Sequence, residues 1–560
     1  MLWKNRKEIS EEEITQLREA GFTNLIARIL ASRDIDKETA EALFNSPENL
    51  IYPSEELQNI RRAAEKILEY TDNSKSEIWI YADYDVDGLT SGYILMDYLR
   101  SISQNGVYVY YPDRDEGYGL NKNFCEIMAD RLNAQDIDKI LVVTVDNGVS
   151  CNSEIELLAT VGIETVVLDH HLPGDVLPEC IIVNPHVDSE SKQTHLAGCG
   201  VVYKLIRFID EEVAKKYYFA VALGTVADVM PGHIENMALI KLGLDQLNSG
   251  ECPKAFNIIR KKVLEEEYNV RSIAWTVGPL LNACGRMGEI DKAAELFISD
   301  QYTDQEVTDM VLEIEELNQE RKDYTKKAKK DIQKIDYSKN YACFFDASKY
   351  HSGISGPLAS SIVDQWNKPS FVYTIEDDIA SGSVRTASNI DVEALLGEQM
   401  RKGILISYGG HAQAGGFVLE AERIEELQES IEEYISSIDL PKEKEELIID
   451  TEATLKELSK KNYKLLTQIY FDILPIIAIK SLNVSNVRVS KSNNENICLS
   501  LSDKDSNADI WAWRMGDMYK EIESPTLIDI AGTIDKVFRG NGATLNIVDL
   551  RKSKKKLLSA

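Results

Sequence analysis

Apolar residues recur at helical spacing through the first 70 residues, most clearly at Phe22, Leu25, Ile26, Ile29 and Leu30. Residues 36–44 predict a second short helix, opened by an aspartate. From Glu77 the spacing changes. Short β-rich runs at 78–81, 107–111, 140–145, 165–168 and 181–183 are mostly separated by helix-length stretches. That alternation predicts a parallel sheet with crossover helices. Residues 305–334 form a long charged stretch without Gly or Pro, which predicts one extended helix with a solvated, coiled-coil-like face. A second α/β unit follows, with strands at 341–345 and 370–374, a helix at 356–365 and a Gly-rich segment at 408–416. Beyond about 448 the chain turns β-rich, with strands expected at 484–489, 497–501, 509–513, 527–534 and 545–548. Five short strands with Gly turns suit a small OB-type barrel. The expected units are 1–70, 71–304, a connecting helix at 305–335, 336–440, and 441–560 with a basic tail.

Length supports this division, because 560 residues exceed what one core can organise. A hydrophobic share of 44% with 28% charged residues argues against wholesale disorder. The longest apolar run, 473–479, is far too short for a membrane span, and the opening residues lack an export signal. Eight scattered cysteines without a CxxC pair give neither a zinc ribbon nor a disulfide framework. A cytoplasmic protein with no membrane contact is expected. The net charge of −31 does not announce a nucleic-acid binder. It is unevenly spread, however: residues 480–560 hold 13 Lys and Arg against 10 Asp and Glu. Global acidity therefore lowers the case for a polyanionic substrate without vetoing it.

The chemistry concentrates where predicted strands end, the edge where such sheets bind ligands. The first strand runs into Asp83, Asp85, Asp87 and Gly88. Three alternate aspartates would share one face if the strand continued, and their repulsion calls for a cation. A solvated acidic turn accounts for the same residues equally well. Asp146-Asn147-Gly148 follows another strand and is also a common turn. Asp169-His170-His171 follows a third; imidazole with carboxylate suits manganese, zinc or iron better than magnesium. Paired surface or core histidines are the plainer alternative. An apolar helix, 222–227, delivers Asp228, which could equally be an N-cap or an ion-paired group. Together these segments could hold two metals bridged by a shared carboxylate.

The four segments resemble the successive motifs of the DHH phosphoesterase superfamily, and the finer pattern resembles its RecJ branch of single-strand-specific exonucleases. Short-oligonucleotide and pyrophosphatase branches open with a His where this chain has Tyr81. Further matches are Tyr111–Arg114 with 116–120, His195–Val201, the 281–287 segment with Arg286, Gly382–Thr386 with Ser383 and Arg385, and Gly409-Gly410-His411. The resemblance spans roughly residues 20–420. It implies a DHH domain, a connecting helix, a DHHA1 domain and an OB-like barrel. It implies Asp85, Asp87, Asp146, His170 and Asp228 as ligands of two Mn²⁺ or Mg²⁺ ions, with Asp146 bridging and Asp83 as an outer partner or extra ligand. His171 and His411 would stabilise phosphate charge or protonate the leaving group. Arg114, Arg286, Ser383, Arg385, Gly409 and Gly410 would contact phosphates of the strand.

The activity implied is 5′→3′ digestion of single-stranded DNA to mononucleotides in recombination and repair. A single-strand-binding protein is the partner and a monomer the default state. Two departures stand out. The Pro-Phe-Gly…Gly-Asn-Pro stretch usual before the barrel is missing around 468–476, and the fourth motif is followed by Asn236-Met237 instead of Asn-Arg. Rival readings are a phosphodiesterase of short oligoribonucleotides or cyclic dinucleotides, and a catalytically dead scaffold. Trp511, Trp513, Tyr519 and Phe538 could stack on bases beside Arg514, Lys536 and Arg539, although alternate tryptophans on a strand are more often core. The basic 551–556 tail reads as solvated.

Overall fold

The computed structural model describes all residues except 73–74, 114–115, 117–118, 135–136, 387–389, 439–445, 491–495, 514, 517–521, 523–525, 537–542 and 554–560. Arg114, Arg514, Tyr519, Phe538, Arg539 and residues 554–556 of the basic tail therefore lie outside the described residues, as does the side chain of His411.

Five parallel strands make the first sheet, in the order Gly106–Tyr110, Ser76–Ala82, Lys139–Val145, Glu164–Leu168 and Ile181–Val183. Ser76–Ala82 and Lys139–Val145 are buried almost throughout, as expected of strands covered on both faces. The strand that follows Ser76–Ala82 lies on one side of it and the next lies on the other. Their carboxyl ends therefore flank a topological switch point, where open sheets of this kind leave a crevice.

The expected elements are present, with informative differences. The strand does not carry the three aspartates, because it stops at Ala82. Asp85 then caps the helix Val86–Ile102, accepting from the amides of Asp87 and Gly88 at 2.9 and 3.1 Å. Gly88 is required here, since a Cβ would sit 2.3 Å from the carbonyl oxygen of Asp83. The long helix Asp304–Ile332 is not solvated all round. Val307, Val311, Ile314, Ala328 and Ile332 form a buried stripe along it.

The second unit has the sheet order Ser407–His411, Ala414–Glu420, Ile379–Arg385, Ser370–Glu376 and Cys343–Asp346. Its Gly-rich segment is a hairpin formed by the first two of these strands. The last unit is a six-stranded sheet ordered Asn507–Ala512, Ile497–Ser502, Ile477–Val489, Thr526–Lys536 and Ala543–Lys552, with Thr451–Glu452 beside Ile477–Val489. Its outer strands approach one another without forming a ladder among the described residues. Irregular pairing interrupts two of its long strands, as bulges do at sheet corners.

Trp511 and Trp513 are not core. They are 39% and 50% exposed and stack on each other with ring centroids 5.6 Å apart. Lys536 does not stand beside them as a free cation; it pairs with Glu266 at 2.7 Å. Arg551 and Lys552 belong to a strand, not to a tail, and the Arg551 guanidinium lies 3.8 Å from the Trp3 ring centre.

The N-terminal segment is bound to the far end of the chain. Leu2–Asn5 pairs in parallel with Glu446–Ile449. Asp450, just beyond, accepts from Arg6 Nε at 2.7 Å, from both Arg33 Nε and Nη2, and from the Ile476 amide at 2.8 Å. Arg28 adds an ion pair with Glu457 at 2.9 Å. The helical segment, the parallel-sheet unit and the C-terminal sheet share one extended core, so residues 1–70 do not stand apart. No helix among the described residues is long and apolar enough to cross a membrane.

Candidate metal centre

The two central strands deliver their following residues to the switch point. Asp146 comes directly after Lys139–Val145 in the left-handed region, with φ of 60°. Aspartate tolerates that conformation better than most residues, and its amide still bonds the Leu168 carbonyl at 3.0 Å. The Asp-Asn-Gly turn and the candidate ligand are therefore the same feature. His170 follows the next strand out. Asp228 arrives from the other direction, as the C-cap of the apolar helix Tyr218–Ala227, so it is neither an N-cap nor an ion-paired surface group.

Three overlapping triads result. Asp83, Asp85 and Asp146 place one oxygen each within 4.8 Å of one another, and Asp87, His170 and Asp228 do the same with their ligand atoms. Asp146, His170 and His171 form the third, which links the other two. His170 Nε2 lies 3.1 Å from Asp146 Oδ1 and 3.7 Å from both Asp87 and Asp228. Asp87 is fixed from behind: the amides of Gly198 and Cys199 donate to its two oxygens at 2.6 and 2.9 Å. Those amides open the helix Gly198–Ile209, whose dipole favours a carboxylate there.

Among the described residues this collection of negative charge meets one cation, the His171 imidazolium. No Lys or Arg among the described residues pairs with Asp85, Asp87, Asp146 or Asp228. Burial, and then the charge of Asp87, push Asp85 above the ordinary carboxylate range, and Asp146 and Asp228 well above it. Burial, then His171, lowers His170 to about 4, so its ring is neutral and able to act as a ligand. Asp146 Oδ1 and His170 Nε2 are buried without a hydrogen bond despite their proximity. Buried polar atoms are seldom left so. A mixed set of carboxylates and one neutral imidazole fits divalent cations, with the nitrogen favouring manganese over magnesium. Asp228, 31% exposed, is the open side of the site.

His171 is held differently from His170. Its Nδ1 bonds Asp169 at 2.8 Å, and although burial opposes it, that bond raises His171 to about 9. Asp169 also accepts the amides of Val149, His170 and His171 at 2.9, 2.7 and 3.1 Å. Burial pushes its pKa up, yet the His171 bond and charge hold it well below the usual range. Sequence reasoning read this aspartate only as part of the triplet and gave it no role, yet it holds the His171 ring and the His170 amide. It also passed over Asn282, whose Oδ1 accepts the Val86 amide at 3.1 Å and steadies the turn carrying Asp85.

The arginines converge from different units. A Cβ on Gly356, in the first turn of the helix Ser355–Trp366, would lie 3.1 Å from Arg385 Nη2 and 3.8 Å from Arg286 Nη1. Ser383 and Arg385 project from the same face of the strand Ile379–Arg385, two residues apart. Two guanidiniums, a hydroxyl and a helix N-terminus suit a phosphate group. Gly410 has φ of 147° and packs its Cα side against the Ala414 carbonyl, whereas Gly409 faces open space and has no steric need to be glycine.

Comparison with known proteins finds family models along most of the chain. The DHH family, N-terminal domain, matches residues 77–225, the DHHA1 domain 339–437, and the RecJ OB domain 449–549. The single-stranded-DNA-specific exonuclease RecJ of Bacillus subtilis is 26% identical over 557 residues, covering 95% of this chain and 68% of its own. That of Salmonella typhimurium is 28% identical over 83% of this chain and 84% of its own. Among solved structures, RecJ of Thermus thermophilus in complex with Mn²⁺ has a TM-score of 0.80 at 23% identity, covering 99% of this chain and 80% of that one. An exonuclease RecJ bound to manganese is 27% identical, with a TM-score of 0.59 over 69% of this chain and 96% of that one.

Proposed function

The chain belongs to the RecJ family of DHH phosphoesterases, and from that premise we propose that it is a metal-dependent exonuclease degrading single-stranded DNA 5′→3′ to mononucleotides. The observation that carries this reading is the convergence of Asp85, Asp87, Asp146, His170 and Asp228 at the switch point, largely withdrawn from water and with no Lys or Arg partner among the described residues. These five would hold two Mn²⁺ or Mg²⁺ ions, with Asp146 shared and Asp83 an additional oxygen donor. Bound there, the ions supply positive charge to the scissile phosphate and acidify a bound water.

The chain's own residues do the rest. Asp87 is immobilised by the Gly198 and Cys199 amides, so the donor set is preorganised. His171, charged at neutral pH through its bond to Asp169, donates a hydrogen bond to a phosphate oxygen or a proton to the departing oxygen. His411 is proposed for the same task from the opposite lobe. Arg286, Arg385 and Ser383 grip the terminal phosphate beside Gly356, with Gly409, Gly410 and Arg114 completing the contacts. Register is set by that grip, so cleavage proceeds one nucleotide at a time from the held end.

The units 71–304, 305–335, 336–440 and 441–560 are the domains proposed with this function, preceded by the 1–70 segment. The same reading makes the enzyme a cytoplasmic monomer serving repair and recombination, with a single-strand-binding protein as partner.

The test is a long single-stranded DNA labelled separately at each end, with duplex and RNA controls, in Mn²⁺, Mg²⁺ or EDTA. Release of the 5′ label first, with metal and Asp146 both required, is the expected result. Survival of long strands while di- to tetranucleotides are cleaved would overturn it.

A further inference from the structure

The grip at Gly356 accounts for the end of a strand but for none of the chain of phosphates behind it. Resting on the nuclease reading, we propose that a cleft of about 520 Å³ between the N-terminal segment, the catalytic domain and the approach to the C-terminal sheet binds the sugar–phosphate backbone of the same single strand. Lys192 and the Arg6–Arg33 pair make the contacts.

Continuity with the metal centre is the first support. The cleft is walled by Lys192, Thr194 and His195 on one side, and by Pro231, Gly232 and His233 on another. The first segment leads within three residues to Gly198, whose amide holds Asp87. The second begins three residues after Asp228. Between them stands Val229, a β-branched residue with φ of 55°, an unusual conformation that bends the chain from the metal ligand into the cleft wall. Tyr470 donates to the Met230 carbonyl at 2.5 Å and fixes the third wall, which continues to Asp472 and Ile473.

Charge is the second support. Arg6 and Arg33 share a single carboxylate, Asp450, so the pair retains one positive charge. Lys192 is exposed and makes no ion pair among the described residues. With Asp450 counted, the three cations face two carboxylates, Asp450 and the lining residue Asp472, which leaves the cleft one positive charge in excess. In a chain of net charge −31 this local excess runs against the trend. Apolar lining is the third: Ile473 is 63% exposed, and its carbonyl accepts from Arg33 Nη2 at 2.9 Å. Cations along a groove with apolar surface nearby suit a single strand read by its backbone.

The experiment measures binding by the full chain in EDTA, using 5′-phosphorylated, fluorescent trinucleotide and an oligothymidylate of about 20 nucleotides, between about 50 and 200 mM salt. Lys192→Glu is expected to weaken the long strand about tenfold and to lower its salt slope by about one, with the trinucleotide changed less than about twofold. Lys192→Gln should fall between. Lys216→Glu, the same charge change on an exposed residue away from the cleft, is the control. Urea midpoints confirm that each variant folds. If Lys192→Glu binds the long strand as Lys216→Glu does, or weakens both lengths equally, the proposal is wrong. Digestion of labelled strands by the wild type with Mn²⁺ is scored separately, so failure of the nuclease reading shows there and not in the Lys192 comparison.

Discussion

Asp450 and Asp146 both have side chains almost wholly withdrawn from water, 0% and 3% exposed. Around Asp450 the chain supplies Arg6, Arg33 and the Ile476 amide, so the charge is answered within the protein. Around Asp146 it supplies further carboxylates and a neutral imidazole, with two buried atoms left unbonded. A buried charge costs several kcal/mol unless it is paired or metal-bound. The first site is complete in the polypeptide alone. The second is complete only with cations, and that difference separates a structural aspartate from a functional one more surely than burial does.

Exchange of roles is the strongest way to break this comparison. Asp146→Asn should cut exonuclease rate by about 10³-fold, roughly 4 kcal/mol of barrier, while leaving the metal-free protein as stable as wild type or more so. Titrating Mn²⁺ against activity and urea midpoint together checks both halves. Asp450→Asn should do the reverse, lowering stability by about 3 kcal/mol because two guanidiniums lose their shared partner. Equal effects of the two substitutions on stability would remove the distinction.

Asp169→Asn sharpens it further, since Asp169 is buried, satisfied and yet in the site. It should lower the rate by about 10–100-fold through misplacement of His171, with Mn²⁺ affinity changed less. A flat result, with His171→Gln strongly impaired, would show that His171 needs no orienting partner.

The smallest expected effect concerns pH. Asp85, Asp146 and Asp228 have folded-state pKa values above the ordinary range. The metal-free folded protein then binds more protons than the unfolded chain just above that range, so its stability should fall as pH rises through it. Saturating Mn²⁺ should abolish or invert the trend, because the ions take the place of those protons. Thermal midpoints in EDTA and in Mn²⁺ across mildly acid to neutral pH give the comparison directly.

Much of this was legible in the sequence because the signals are local. The five strands of the first sheet fall within a residue or two of the hydrophobic runs that predict them. The ligand candidates stand at the ends of those runs, where parallel sheets leave a crevice. What was not legible depends on contacts across the chain. Nothing near Asp450 in sequence announces Arg33, more than four hundred residues away. Asp85 was readable as a carboxylate but not as a helix cap, since that required the strand to stop at Ala82. Trp511 and Trp513 alternate as core residues do, yet the first lies on an edge strand, the second just past its end, and they cover each other. Periodicity shows that two side chains share a face; it does not show what covers it.

The pairing of Leu2–Asn5 with Glu446–Ile449 also has a consequence in time. A ribosome adds roughly 5–20 residues each second, so about 20–90 s separate the synthesis of the two strands. During that interval the first strand has no partner and the exposed backbone of an unpaired edge, a known route to aggregation. Lys4 and Arg6, alternating along and just beyond that short strand, place charge where a stray neighbour would add. Nascent chains halted before residue 446 should therefore be more prone to protease cleavage at the N-terminus than chains released just beyond 476.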